Sequence, residues 1–294
     1  MSRISIVAFG GGTDSTAELI EMVKRGEPAP HTVLFGDTEG EHPHTYAHIW
    51  RFSQWLLDHG YPAITIVHAG SSGGEGLEAM CLRLGVLPSV AYGWKTCSQR
   101  FKVEPQEKWI NNDPACRAAR AAGDPITMCI GYEYGEERRV RPSAMKGVVN
   151  RYPLIEWKMD REACVETIRA AGLPPPGKSS CFFCPNMTKP EIGALQRMYS
   201  TLAARALAME ANAAASGKSR VAGLGRRFAW GDYLAGLPTP AVAEQPDPCG
   251  CYDGDESLTD LPVAVGANPP RDDLWDADKL SKLDPKTGII NGPF

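Results

Sequence analysis

Ile4-Ser5-Ile6-Val7-Ala8-Phe9-Gly10-Gly11-Gly12-Thr13-Asp14-Ser15-Thr16 is the stretch that decides the fold. Residues 4–9 are mostly apolar and read as a buried strand. Three glycines follow, and residues 15–24 then set Ala17, Leu19, Ile20 and Val23 on one helical face. A strand that runs through a glycine turn into a helix lines up backbone N–H groups at the helix start. Without a Cβ in the way, an anion can approach that backbone closely. The helix dipole and the first-turn amides favour negative charge at the same point. Gly10, Gly11, Gly12, Thr13, Ser15 and Thr16 are therefore candidate phosphate-binding residues, with the Ser15 and Thr16 hydroxyls as further donors. Asp14 would repel phosphate, so its task is to hold the loop or to face Mg²⁺. A plain strand-to-helix turn is the competing reading of these residues.

Working outward, apolar runs at 32–35, 63–67 and 126–130 read as three more strands. Helical patterns lie between them at 45–59, at 76–84 and after Glu104. That alternation predicts a doubly wound α/β fold with a parallel sheet. Ligands of such sheets bind at the carboxyl ends of the strands. The polar segments after Phe9, Phe35 and Ile130 all fall there. Farther on, 161–171 reads as a helix, 173–180 as a Pro/Gly/Ser loop and 191–215 as one long alanine-rich helix. Beyond about 237 the chain is rich in Pro, Asp and Gly and has little periodicity. The expected organisation is a nucleotide-binding domain over 1–195, a helical segment over 196–236 and an irregular extension over 237–294.

A chain of 294 residues with 43% hydrophobic and 22% charged residues has the composition of a soluble globular protein. It contains no apolar run of membrane-spanning length and no signal-peptide pattern at its start, so the expectation is a cytoplasmic protein with no membrane partner. The net charge of −4 conceals an asymmetry: residues 241–294 hold eleven acidic and four basic residues, −7, which leaves +3 on residues 1–240. Arg138, Arg139, Arg141, Lys146 and Arg151 form a basic run with no acid among them. A second run holds Arg197, Arg205, Lys218, Arg220, Arg226 and Arg227, opposed only by Glu210. Such runs suit a nucleotide or a nucleic acid, and equally an ordinary solvated face.

Asp37-Thr38-Glu39-Gly40-Glu41 follows the second strand, at the same edge as the glycine loop. Asp37 and Thr38 are candidates to meet adenine, ribose or a metal, against a polar turn in which Asp37 caps the next helix. His44 and His48 are one helical turn apart, but His44-Thr45-Tyr46-Ala47-His48 lacks the glutamate of a zincin motif, and a solvated helix face is the expectation. Nine cysteines in such a chain point to metal ligation rather than a disulfide framework. Cys181-Phe182-Phe183-Cys184-Pro185 has chelating spacing. Two further ligands are needed, and Cys97, Cys249 and Cys251 are the candidates. An iron–sulfur cluster, a zinc ion and a metal-free thiol pair all remain open. Cys116, Cys129 and Cys164 read as core or helix residues.

The glycine loop resembles the PP-loop, Ser-Gly-Gly-x-Asp-Ser, of the adenine nucleotide alpha-hydrolase superfamily, with Gly10 in place of serine. The similarity extends along residues 3–195 in order. After the loop come Asp37-Thr38-Glu39, then Cys97 with Lys102 and Pro105, then Gly131 with the Glu136-Glu137-Arg138-Arg139 stretch, and Tyr152-Pro153-Leu154-Ile155-Glu156-Trp157. That succession is similar to the phosphoadenylyl-sulfate (PAPS) reductase family. The resemblance implies a Rossmann-like adenine-nucleotide fold. Gly10–Ser15 would lie on phosphates with Asp37 and Thr38 nearby, and Lys102, Gly131, Glu137 and Arg138 would line the substrate cleft. Asp14, Lys102 and Arg138 become the candidate catalytic residues. Some relatives, such as tRNA thiolation enzymes and a DNA phosphorothioation protein, carry a 4Fe–4S cluster for sulfur transfer. ATP with Mg²⁺, a cluster or Zn²⁺, a nucleic-acid substrate, a sulfur-donor protein and a homodimer are the cofactors and partners this implies. The family's reductases carry a Glu-Cys-Gly-like nucleophile near the C-terminus, which Cys249-Gly250-Cys251 does not match. The expected activity is thus adenylation of a substrate. Sulfonucleotide reduction and an inactive nucleotide-binding module are the alternatives.

Overall fold

A computed structural model describes residues 4–69 and 75–239. Their centre is one sheet of five strands: β1 (Ser5–Ala8), β2 (Thr32–Asp37), β3 (Ile64–His68), β4 (Ile126–Ile130) and β5 (Val148–Arg151). The order is β3-β2-β1-β4-β5 and every pairing is parallel. The chain winds outward from β1 in one direction to β3, then returns to the other side of β1 as β4. Between β1 and β4 the winding reverses, and there the ends of the strands part to leave a crevice.

The helices are α1 (Thr13–Lys24), α2 (Pro43–Asp58), α3 (Leu77–Leu84), α4 (Thr96–Ser98), α5 (Glu104–Asn112), α6 (Pro114–Ala121), α7 (Pro153–Glu156), α8 (Arg161–Ala170), α9 (Lys189–Met198), α10 (Ser200–Ala215) and α11 (Trp230–Leu234). A π-helical segment, Gln99–Val103, joins α4 to α5. Strand alternation sorts the core into two layers. Val7, Phe9, Val33 and Phe35 point to one face, where Leu19, Phe52 and Ile168 of α1, α2 and α8 meet them. Ile6, Leu34, Ile126 and Met128 point to the other, against Ile110 of α5 and Cys116 of α6. A third apolar cluster joins Leu77 and Cys81 of α3, Phe101, the Cys181–Phe183 turn and the inner faces of α9, α10 and α11. Among the described residues no helix is long and apolar enough to cross a membrane.

Four strands coincide with the apolar runs of the sequence. β5 does not: Val148-Val149-Asn150-Arg151 is an edge strand with one neighbour, and Val149 is 55% exposed. Only two of its four residues are apolar, where β3 at the other edge has Ile64, Ile66 and Val67, so the sequence carries no strand signal for it. The single helix expected over 191–215 is two helices. Tyr199, at φ −138° and ψ 61°, breaks it, and its ring lies 6.4 Å from both His42 and His44. Of the two histidines expected on a solvated face, His48 is buried and His44 half-buried. His48 stacks on Phe52 at 5.6 Å and bonds Thr16, because the α2 face that carries it is the one packed on α1 and β1. Most of the expected extension, 240–294, lies outside the described residues.

Candidate functional site

The glycine loop sits at the carboxyl end of β1, where the sheet order reverses. Gly11 has φ +78°, and a Cβ there would meet Ser179, Phe35 and Thr45 at 3.1–3.3 Å, so both conformation and space require glycine. Gly12 is the N-cap of α1. The loop is braced from within. Ser15 Oγ accepts from the Gly10 N–H at 3.1 Å, and Thr16 Oγ1 donates to the Gly12 carbonyl at 2.7 Å. Thr16 is fully buried, so its hydroxyl holds the loop rather than facing the cleft. Asp14 is held by Arg161 of α8 at 2.8 Å, and Arg161 also approaches Glu133 at 3.5 Å. Holding the loop is therefore a role Asp14 performs in this structure.

The cleft in front of the loop is lined by Phe9, Gly10, Asp14 and Ser15 from β1 and α1, and by Phe35 and Gly36 from β2. Ser98, Lys102 and Gln106 close it from the α4–α5 side, and Gly131, Tyr132, Glu136, Arg139 and Arg161 from the β4 side. Three cations, Lys102, Arg139 and Arg161, thus face it with two carboxylates, Asp14 and Glu136. Arg139 pairs with Glu136 and lies over the Tyr132 ring at 3.9 Å. Two glycines let these walls close in. A Cβ on Gly36 would fall 2.6 Å from the backbone of Lys102, and one on Gly131 would fall 3.0 Å from the backbone of Ser15. Glu137 and Arg138 do not line the cleft; the short 3₁₀ turn Glu137–Arg139 leaves both exposed and turns Glu136 and Arg139 inward.

The Cys181–Cys184 turn reaches the same edge from far along the chain. Cys181 pairs with Glu41 in an antiparallel bridge, and the Phe182 N–H donates to the Gly40 carbonyl at 2.8 Å. Ser179 Oγ donates to the Gly10 carbonyl at 2.8 Å, so the turn is tied to the glycine loop itself. The Cys181 thiol lies 3.1 Å from Thr38 Oγ1. Glu41, buried beside it, forms an ion pair with Lys102 at 2.9 Å. Burial, reinforced by Glu41, pushes the Cys181 thiol well up. Asp37 accepts hydrogen bonds from the Glu39 N–H at 2.8 Å and the Tyr46 hydroxyl at 2.9 Å, and burial raises its carboxyl. Asp37 thus forms a turn after β2, while the N-cap of α2 is His42.

Cys97, Cys181 and Cys184 share the third apolar cluster but do not make a three-ligand set among the described residues. Cys249 and Cys251 lie outside those residues. The seven described cysteines form no disulfide.

One group at this site has no signature in the sequence. Glu18, on the inner face of α1, is fully buried, and neither carboxyl oxygen meets a hydrogen-bond donor among the described residues. It lies behind Gly131, whose Cβ would come within 2.9 Å of it. Burial drives its carboxyl well above the ordinary range, against the pull of Arg151. Arg161 and Glu18 would have needed the sheet order to be found, because each is an ordinary charged residue of a helix, whereas Glu136 and Arg139 belong to the stretch already singled out in the sequence.

Fold and site together define a Rossmann-like α/β protein with a glycine-walled cleft at its topological switch point. No protein-family model matches the chain, and no curated protein is similar to it in sequence.

Proposed function

We propose that the chain binds ATP with Mg²⁺ in the switch-point cleft and adenylates a substrate in the manner of a PP-loop pyrophosphatase. The observation that carries this is the coincidence of the glycine loop at the start of α1 with Lys102, Arg139 and Arg161 around one cleft. Anionic phosphates suit first-turn amides and the cationic side chains that line the cleft. A substrate oxygen would attack the α-phosphorus, the bond to the bridging oxygen would break, and pyrophosphate would leave. The amides of Gly11–Ser15 and the Lys102 ammonium would stabilise the charge that develops on the phosphates. Mg²⁺ commonly takes one or two carboxylates and completes its shell with phosphates and water. Asp14 fits as one such carboxylate, and bound Mg²⁺ would supply further charge neutralisation.

The proposed use of the adenylated position is sulfur transfer to a nucleic acid, in which sulfide-level sulfur from a donor protein would form the new bond and AMP would leave with the oxygen. The basic run from Arg138 to Arg151 adjoins the cleft through Arg139. The Cys181–Cys184 turn would supply two thiol ligands of an iron–sulfur or zinc set, and no third ligand completes it among the described residues. Iron, zinc and sulfide per chain, measured after anaerobic purification, test that part separately. The adenylation reading is tested by ATP titration and by pyrophosphate release with and without nucleic acid. ATP binding that weakens about tenfold or more in Lys102→Ala supports it. A folded protein that binds no ATP at millimolar concentration overturns it. Binding without pyrophosphate release on any substrate tried leaves the nucleotide-binding module.

A further inference from the structure

We propose that His31, Asp113 and Cys116 form a zinc site at the amino-terminal edge of the sheet, at the opposite end of the strands from the cleft. One ligand atom from each residue lies within 4.8 Å of the other two. His31 Nε2 is 3.1 Å from Asp113 Oδ1, which also accepts the Cys116 N–H at 2.8 Å. Ligands of a tetrahedral zinc with bonds of about 2.0–2.3 Å stand roughly 3.3–3.8 Å apart. A metal would therefore open the His31–Asp113 contact by only a few tenths of an ångström. One nitrogen, one oxygen and one sulfur make a donor set suited to a borderline-soft ion such as Zn²⁺ rather than to Mg²⁺ or Ca²⁺.

Two elements are built to hold these donors. The His31 N–H donates to the Ser5 carbonyl at 2.7 Å, which fixes the residue immediately before β2. Its ring leans on Trp109 of α5 at 6.0 Å. Asp113 is the N-cap of α6, and Pro114 rigidifies the turn that carries it. Exposure is graded: Cys116 is fully buried, while the Asp113 and His31 side chains are 14% and 34% exposed. An ion would enter from the His31 side, keep a water as fourth ligand there, and displace the Cys116 thiol proton to solvent. Bound zinc would pin the start of β2 to the start of α6. An N-cap, a surface ion pair and a core thiol are each ordinary alone. Their convergence on one point is what sets this place apart.

The site is independent of nucleotide binding, and so is its test. The full chain is prepared with Cys97, Cys181, Cys184, Cys249 and Cys251 changed to Ala, which removes the other candidate thiol ligands. It is titrated with Co²⁺, then Zn²⁺, while absorbance and thermal unfolding are followed. The expected result is one Co²⁺ per chain with a thiolate-to-cobalt charge-transfer band, displacement by Zn²⁺ and a raised midpoint. Cys116→Ser should remove the band. His31→Ala, at an exposed position that leaves the core intact, should weaken binding about tenfold or more with unchanged circular dichroism. The proposal falls if the folded parent binds neither metal, if the band survives Cys116→Ser, or if His31→Ala binds within twofold of the parent.

Discussion

Glu18 is a buried carboxyl whose oxygens meet no hydrogen-bond donor among the described residues. Burial without such a donor favours the neutral form in the folded chain, while water favours the charged form in the unfolded one. The sign follows: its contribution to stability is complete below the ordinary carboxylate value of 4.5 and is lost as pH rises through the raised folded value. Glu18→Gln is therefore expected to be more stable than the parent by about 1–3 kcal/mol at pH 8, with the difference vanishing toward pH 4. Urea unfolding across that range checks it, and a pH-independent difference would reject a titrating Glu18. His44 and His48 act in the opposite direction. Burial lowers both rings from 6.5 to about 4, so stability is full above 6.5 and falls as pH drops toward 4. Each ring can contribute up to about 3 kcal/mol to that fall. His48→Gln should flatten the acid limb of the same unfolding series.

At the scale of elements, the cleft depends on close approach between pieces far apart in sequence. Gly36 admits the π-helical segment that carries Lys102, since a Cβ would sit 2.6 Å from the Lys102 backbone. Gly36→Ala is expected to destabilise the protein by about 1–3 kcal/mol and to weaken ATP binding with it. Unfolding curves and nucleotide titrations on one preparation check both, and unchanged binding would mean that Lys102 keeps its place without this contact. Arg161 ties α8 to the start of α1 through Asp14. Arg161→Ala should lower ATP affinity about tenfold and stability by about 1–3 kcal/mol, because Asp14 would keep its half-buried charge without that partner. Arg161→Lys should recover part of both. The break at Tyr199 belongs to this scale too. Alanine-rich sequence favours one continuous helix, and packing against His42 and His44 overrides that preference.

At the scale of the whole molecule, the sequence by itself determined the α/β class, four of the five strands and the edge of the sheet at which the polar segments gather. The reason is periodicity: strands buried on both faces must be apolar throughout, and helices that cover them must repeat with the helical period. It also exposed the glycine loop, because Gly10, Gly11 and Gly12 stand out in any reading. The tertiary structure alone decided which charges face the cleft. The turn after β4 brings in Glu136 and Arg139 rather than Glu137 and Arg138, a matter of one residue of rotation that composition does not encode. Arg161 reaches Asp14 across 147 positions, and Thr38 reaches Cys181 across 143. His31, Asp113 and Cys116 likewise meet only because β2 begins beside α6. Local patterns specify elements, since neighbours along the chain share one helix or strand. Sites are assembled across elements, where sheet order and packing choose the partners.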